Sequence, residues 1–125
     1  MHSAHTVLVV DDEPAIREML EDVLSSEGCR VITAPDGVAA LDRLREGSSR
    51  PCVILLDMLM PRMNGWQFAR ELRADNKLSE IPFALIGANP SFAADAESLG
   101  ADRWLGKPLH LEQLLSTVDE LCATA

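Results

Sequence analysis

Asp11, Asp12, Asp57 and Lys107 are the residues of this chain whose types and placement point to chemistry. Asp11 and Asp12 follow the β-rich run Thr6-Val-Leu-Val-Val10. Asp57 follows the wholly apolar run Cys52-Val-Ile-Leu-Leu56, and Lys107 stands just after Arg103-Trp-Leu105. If these run ends converge, three carboxylates meet one ammonium. Carboxylates about 4 Å apart repel by roughly 4 kcal/mol at an effective dielectric near 20, so three ionised together require a cation. Magnesium suits such a set, because it is a hard ion that prefers carboxylate, carbonyl and water oxygens. Lysine adds a point charge matched to a phosphoryl oxygen. A carboxylate nucleophile, a metal and a lysine make a phosphoryl-transfer site, where catalysis is mostly positioning and charge neutralisation.

Each piece has an ordinary reading as well. Asp11-Asp12-Glu13-Pro14 also reads as a helix start, with Asp as cap, Glu facing the dipole and Pro in the first turn. Asp57 alone could begin a turn, and Lys107 alone could be a solvated surface lysine. Helix capping does not require a lysine on a fifth strand, so the four together favour the chemical reading.

The elements that must position them alternate in type. After the first strand, Ile16, Met19, Leu20, Val23 and Leu24 recur at helical spacing up to Gly28. Arg30-Val-Ile-Thr-Ala34 is a second strand, and Asp36 caps a helix carrying Val38, Leu41 and Leu44 that stops before Gly47. The third strand is apolar throughout, as expected when both faces are covered. A helix from about Gly65 to Ala74 follows, then the strand Phe83-Ala-Leu-Ile86. A weaker, alanine-rich helix from about Ser91 to Leu99 comes next, then Arg103-Trp-Leu105. The last helix, from about His110 to Cys122, carries Leu111, Leu114, Leu115, Val118 and Leu121. Strict alternation implies a parallel sheet with helices on both faces, and ligands of such sheets bind beyond the carboxyl ends of the strands. With no repeat or linker-like tract, the expectation is one domain over residues 1–125, with its core from about 6 to 121.

Composition limits the function. The chain has 20 acidic and 11 basic residues among 125, for a net charge of -9. That disfavours nucleic acid and anionic membranes as partners and suits a cation and protein partners. No apolar run approaches a bilayer span, and the amino-terminal residues do not read as a secretory signal. Cys29, Cys52 and Cys122 are odd in number, widely spaced and without a Cys-x-x-Cys pair. The expectation is three small thiol fillers in a reducing cytoplasm, with no disulfide framework. His2, His5 and His110 are scattered, the first two in a terminus expected to fray, and none is taken as a ligand. Met58, Met60 and Met63 read as apolar packing.

Three segments together resemble the receiver domains of bacterial response regulators, over about Thr6 to Leu121. They are Val-Leu-Val-Val-Asp11-Asp12-Glu13, then Leu55-Leu56-Asp57-Met58-Leu59-Met60-Pro61-Arg62-Met63-Asn64-Gly65, and Gly100-Ala101-Asp102-Arg103-Trp104-Leu105-Gly106-Lys107-Pro108. The resemblance implies a doubly wound, flavodoxin-like α/β fold, (βα)5, with strand order 2-1-3-4-5. It implies that Asp57 is the phosphoacceptor and that Asp12, with Asp11, Asp57 and the backbone carbonyl of Leu59, holds Mg2+ or Mn2+. Lys107 would contact the phosphoryl group, and the Lys107–Pro108 peptide is expected to be cis. The phosphodonor would be a sensor histidine kinase or a histidine phosphotransfer protein. With no output segment after Ala125, signalling is expected through a downstream protein at the face of the fourth helix, fifth strand and fifth helix, roughly residues 91–122.

The chain departs from the family pattern at one position. The family carries Ser or Thr at the end of the fourth strand, where Leu85-Ile86-Gly87-Ala88 supplies glycine. In the family that hydroxyl bonds the phosphoryl group, and an aromatic on the fifth strand, here Trp104, turns inward in response. A hydrogen bond to a charged group contributes about 1.5–3 kcal/mol, comparable to a typical allosteric coupling of about 1–3 kcal/mol. The expectation is that Asp57 accepts a phosphoryl group while the relay through Gly87, Ala88 and Trp104 is weak or rerouted. Leu59 and Asn89 lie where family members tune phosphoryl lifetime, and an apolar Leu59 would shield the acyl phosphate from water. Beyond its own phosphorylation and dephosphorylation no enzymatic turnover is expected. The alternative is a phosphorylation-independent interaction module. A phosphatase with an aspartate nucleophile would carry a second aspartate where Leu59 stands, and a flavin carrier would need a phosphate-binding loop after the first strand.

Overall fold

Alternate residues along each strand point to opposite faces of the sheet, and here both faces are apolar. In the computed structural model, which describes residues 5–47, 50–60 and 62–123, this produces two cores with the sheet between them. The strands are β1 (Thr6–Val10), β2 (Arg30–Ala34), β3 (Val53–Asp57), β4 (Phe83–Gly87) and β5 (Arg103–Gly106). All pairs are parallel, in the order β2-β1-β3-β4-β5, giving the doubly wound, flavodoxin-like arrangement. The helices are α1 (Pro14–Ser26), α2 (Gly37–Glu46), α3 (Gly65–Ala74), α4 (Ala93–Ser98) and α5 (Leu111–Ala123).

Val7, Val9, Val53, Leu55, Ala84, Ile86 and Leu105 meet Leu20 and Leu24 of α1 and Leu114, Val118 and Leu121 of α5. Leu8, Val10, Ile54, Leu56, Phe83 and Leu85 meet α2, α3 and Ala96 of α4 on the other face. Strand order reverses at β1, with β2 on one side and β3 on the other. The carboxyl ends of β1 and β3, which carry the acidic residues, therefore lie side by side at the switch point.

Caps set the helix limits. The Asp36 side chain accepts the Ala39 N–H at 2.9 Å, and Gly47 ends α2 with φ of 76°. Asn64 and Gln67 form a reciprocal capping box at the start of α3. Gly28, with φ of 89°, follows α1. The fourth helix is shorter than the sequence reading: Pro90–Phe92 forms a 3-10 turn, and α4 buries only Ala96. Asn89, whose side chain accepts the Ser91 N–H, and Pro90 favour a tight turn there, and alanines give little apolar surface to hold a longer helix against the sheet. Leu78 and Ile81, between α3 and β4, are also buried, where no periodic pattern marks them.

The cysteine expectation is corrected. Cys52 and Cys122 form a disulfide that joins the residue before β3 to the last turn of α5, with 4.9 Å between their Cα atoms. They lie 70 residues apart, and spacing along the chain does not reveal that α5 returns to the amino end of β3. Cys29 is buried and free. His5, read as part of a frayed terminus, leads directly into β1 beside this disulfide. His2 and Pro61 lie outside the described residues. Among the described residues, no helix is long and apolar enough to cross a membrane.

Candidate functional site

The ends of β1 and β3 bring Asp11, Asp12 and Asp57 together. One carboxylate oxygen of each lies within 4.8 Å of the other two. Asp11 is held from three directions: its N–H donates to the Ala34 carbonyl at 3.2 Å, its carbonyl accepts from Arg17 Nη1 at 2.7 Å, and its Oδ1 accepts the Glu13 N–H at 2.9 Å. Asp11 and Asp57 are buried, while Asp12 is exposed.

Asp57 is the last residue of β3 and is 5% exposed. The chain leaves it tightly. The Met58 N–H donates to the Ile86 carbonyl at 3.1 Å, and the Gly65 N–H donates to the Met58 carbonyl at 2.9 Å, closing the loop between β3 and α3. A Cβ on Gly65 would lie 2.9 Å from Met58 Cα, so only glycine fits where the loop returns.

Lys107 approaches from β5. Its N–H donates to the Gly87 carbonyl at 2.9 Å, and its Nζ lies 3.5 Å from Asp57 Oδ1. The Lys107–Pro108 peptide is cis.

The electrostatics follow from burial. Burial pushes the Asp57 carboxyl up to about 6, with the nearby Asp11 charge adding to it and Lys107 opposing it. Burial likewise pushes the Asp11 carboxyl above the ordinary range, against the Glu13 N–H bond. Both shifts come first from burial, and the crowding of like charges adds to them. All the side-chain donors are carboxylate oxygens, which fits a hard divalent ion rather than a soft one.

An open cleft of about 400 Å3 lies over these groups, lined by Asp12, Glu13, Asp57, Leu59, Gly87, Ala88, Asn89, Phe92 and Lys107, with Met58 at its base. Leu59 is 62% exposed. Glu13 and Phe92 are wall residues to which the sequence reading gives no role at the site. The Asn89-Pro90 turn is the local signal that could have placed Phe92.

Gly87, the last residue of β4, meets Trp104 of β5. A Cβ on Gly87 would lie 2.7 Å from Trp104 Cη2, 3.3 Å from Cζ3 and 3.6 Å from Met58 Cγ. The indole therefore fills the space where a side chain at 87 would begin.

A second polar pair lies nearby and is not evident from the sequence. Arg62, with φ of 65°, donates to the buried carboxylate of Asp36. Burial raises the Asp36 carboxyl, but the Ala39 N–H and the Arg62 guanidinium outweigh it and hold it below the ordinary range.

Comparison with known proteins matches residues 7–119 to the response regulator receiver domain. The response regulator MprA of Mycobacterium avium (strain 104) is 40% identical over 117 residues, covering 92% of this chain and 50% of MprA. The chain spans about half the length of the curated relatives it matches. Among solved structures, the signal receiver domain of a signal transduction histidine kinase from Syntrophus aciditrophicus superposes with a TM-score of 0.88 at 30% identity, covering 98% of this chain and 92% of that one. The response regulator TrrA from Thermotoga maritima, solved in complex with Mg(2+)-BeF, superposes with a TM-score of 0.83 at 33% identity, covering 94% of this chain and 98% of that one. By sequence and by fold, this chain belongs to the response regulator receiver domain family.

Proposed function

We propose that this receiver domain takes a phosphoryl group onto Asp57 from a phosphohistidine donor, a sensor histidine kinase or a histidine phosphotransfer protein, in the cytoplasm. The observation that carries the reading is the buried Asp57 carboxylate, 3.5 Å from Lys107 and grouped with Asp11 and Asp12. An oxygen of Asp57 attacks phosphorus as the bond to the donor nitrogen breaks, and Lys107 balances charge on a phosphoryl oxygen. With its carboxyl at about 6, Asp57 is mostly ionised at neutral pH and thus available as a nucleophile. Asp11, Asp12, Asp57 and the Leu59 carbonyl would hold Mg2+ or Mn2+, which supplies neutralisation of the clustered negative charge. The all-carboxylate donor set supports this, as does the Mg(2+)-BeF complex of TrrA. The domain has no separate turnover substrate: phosphorylation and hydrolysis at Asp57 are its own cycle.

The output is contact with a downstream protein at the face of α4, β5 and α5. The net charge of -9 argues against nucleic acid and anionic membrane surfaces as partners. Coupling to that face is atypical. Gly87 offers no hydroxyl to the phosphoryl group, and Trp104 already lies against Gly87. That packing favours a second reading, an interaction module whose face is set without phosphorylation.

The two readings separate in one experiment. The protein is incubated with Mg2+ and a small-molecule phosphodonor and weighed intact. Gain of one phosphoryl group, lost in Asp57→Asn and on chelation, supports the phosphoacceptor. No gain under conditions that phosphorylate other receivers favours the second reading.

A further inference from the structure

At the end of β3 opposite Asp57, the residues collect a second reactive group that the phosphoryl site does not use. Cys52 stands just before β3, and Cys122 lies in the last turn of α5, which packs on β3 and β5. His5 joins them from the start of β1: a ring nitrogen and the two sulfurs all lie within 4.8 Å of one another. Asp119, one turn before Cys122 on α5, places Oδ1 3.7 Å from His5 Nε2.

We propose that Cys52 and Cys122 form a reversible disulfide site, exchanging with low-molecular-weight thiols and disulfides, in which His5 and Asp119 assist proton transfer at sulfur. Four observations carry this. All three of His5, Cys52 and Cys122 are half-buried rather than enclosed in the core. A ring nitrogen of His5 lies within 4.8 Å of both sulfurs, a gap that one water bridges, and Asp119 Oδ1 lies 3.7 Å from His5 Nε2, where it orients the ring. The reduced state is accommodated too, because Cys52 Sγ lies 3.4 Å from the Thr6 carbonyl, an acceptor for its S–H. Cys29 differs on every count: it is buried, and burial pushes its thiol up, so it is a poor competitor.

The step balances as ordinary exchange. The thiolate of a small thiol attacks one sulfur of the disulfide. The other sulfur leaves as thiolate and takes up the proton that the attacking thiol gave up, relayed by His5. A second small thiol resolves the mixed disulfide. Two thiols thereby give two electrons and two protons to the protein and leave as one small disulfide; closure is the reverse. Closing the bond pins the carboxyl end of α5 to the sheet. A domain of this size with two complete apolar cores does not need a covalent staple to fold, so the reduced form remains native.

The test uses the full chain in buffers of reduced and oxidised glutathione, quenched with a thiol-alkylating reagent and weighed. The expected result is a reversible transition between one and three alkylated thiols with native circular dichroism in both states. The melting temperature should fall by on the order of 10 °C on reduction, given the 70-residue separation. Cys52→Ser should abolish the transition. His5→Ala should slow closure several-fold at pH 7 while leaving the fold intact. Three thiols alkylated at every ratio, a bond that opens only after unfolding, or equal closure rates with and without His5 would overturn the proposal.

Discussion

Trp104 of β5 reaches across to Gly87 of β4 so closely that a single added carbon at 87 would lie 2.7 Å from Trp104 Cη2. The register makes this possible. Leu85 pairs with Trp104 and Gly87 with Gly106, so Gly87 and Trp104 are diagonal neighbours on one face. Glycine and the inward ring are thus one packing solution, and a hydroxyl at 87 cannot be restored without moving the indole.

Gly87→Ala should therefore push Trp104 outward rather than leave the site unchanged. Overpacking of this kind costs roughly 1–3 kcal/mol. In a Trp66→Phe background, Trp104 emission should shift to longer wavelength. Adding Trp104→Ala should recover part of the loss, with a coupling of at least about 0.5 kcal/mol in a double-mutant cycle. Additive effects would mean that the two residues do not contact in solution.

The raised Asp57 carboxyl has a defined pH signature in metal-free protein. The fold binds its proton more tightly than the unfolded chain, so the contribution is fully present below about pH 4 and is lost as pH rises through about 6. At pH 8 the ionised group costs the fold on the order of 2–3 kcal/mol. In chelator, Asp57→Asn should be more stable than wild type at pH 8 to urea, and the gap should shrink towards pH 5. Saturating Mg2+ should close it at pH 8. A gap independent of pH would contradict this.

Asp36 should behave in the opposite sense. Burial opposes its ionisation, but the Ala39 N–H and Arg62 outweigh that, and its carboxyl is held low. Its contribution is present above the ordinary carboxylate range and lost as pH falls through the lowered value. Asp36→Ala should cost about 1–2 kcal/mol at pH 7, mainly through the lost cap of α2. Arg62→Ala should cost well under that, because the Arg62 side chain is 65% exposed. Urea unfolding of both variants checks the order.

The convergence of Asp11, Asp12, Asp57 and Lys107 at one edge of the sheet was legible in the sequence because each strand end announces itself. An apolar run closing on Asp57, an acidic pair before Pro14 and a lysine before Pro108 are local signals, and parallel topology gathers them. What escaped depends on contacts between distant segments. The ring of Trp104 against Gly87 needs the β4–β5 register, the Cys52–Cys122 bond needs the path of α5, and Asp36 meets Arg62 only once the loop after β3 folds over. Leu78 and Ile81 were missed because isolated apolar residues in a connection carry no period.

Leu59 is exposed and lines the cleft over Asp57, and the proposed role of its apolar side chain is to shield the acyl phosphate from water. Leu59→Asn should shorten the phosphoryl half-life several-fold by admitting and orienting water, without altering Mg2+ affinity. Intact-mass decay after removal of the phosphodonor measures this, and an unchanged or longer half-life would refute the shielding role.

A crystal structure with Mg2+ and beryllofluoride decides whether Asp57 is the phosphoacceptor. Beryllium should sit on an Asp57 oxygen and the ion on Asp11 or Asp12, Asp57 and the Leu59 carbonyl. Lys107 Nζ should contact a fluoride, and Trp104 should remain against Gly87. Beryllofluoride absent from Asp57, or an ion bound away from the three carboxylates, would contradict it.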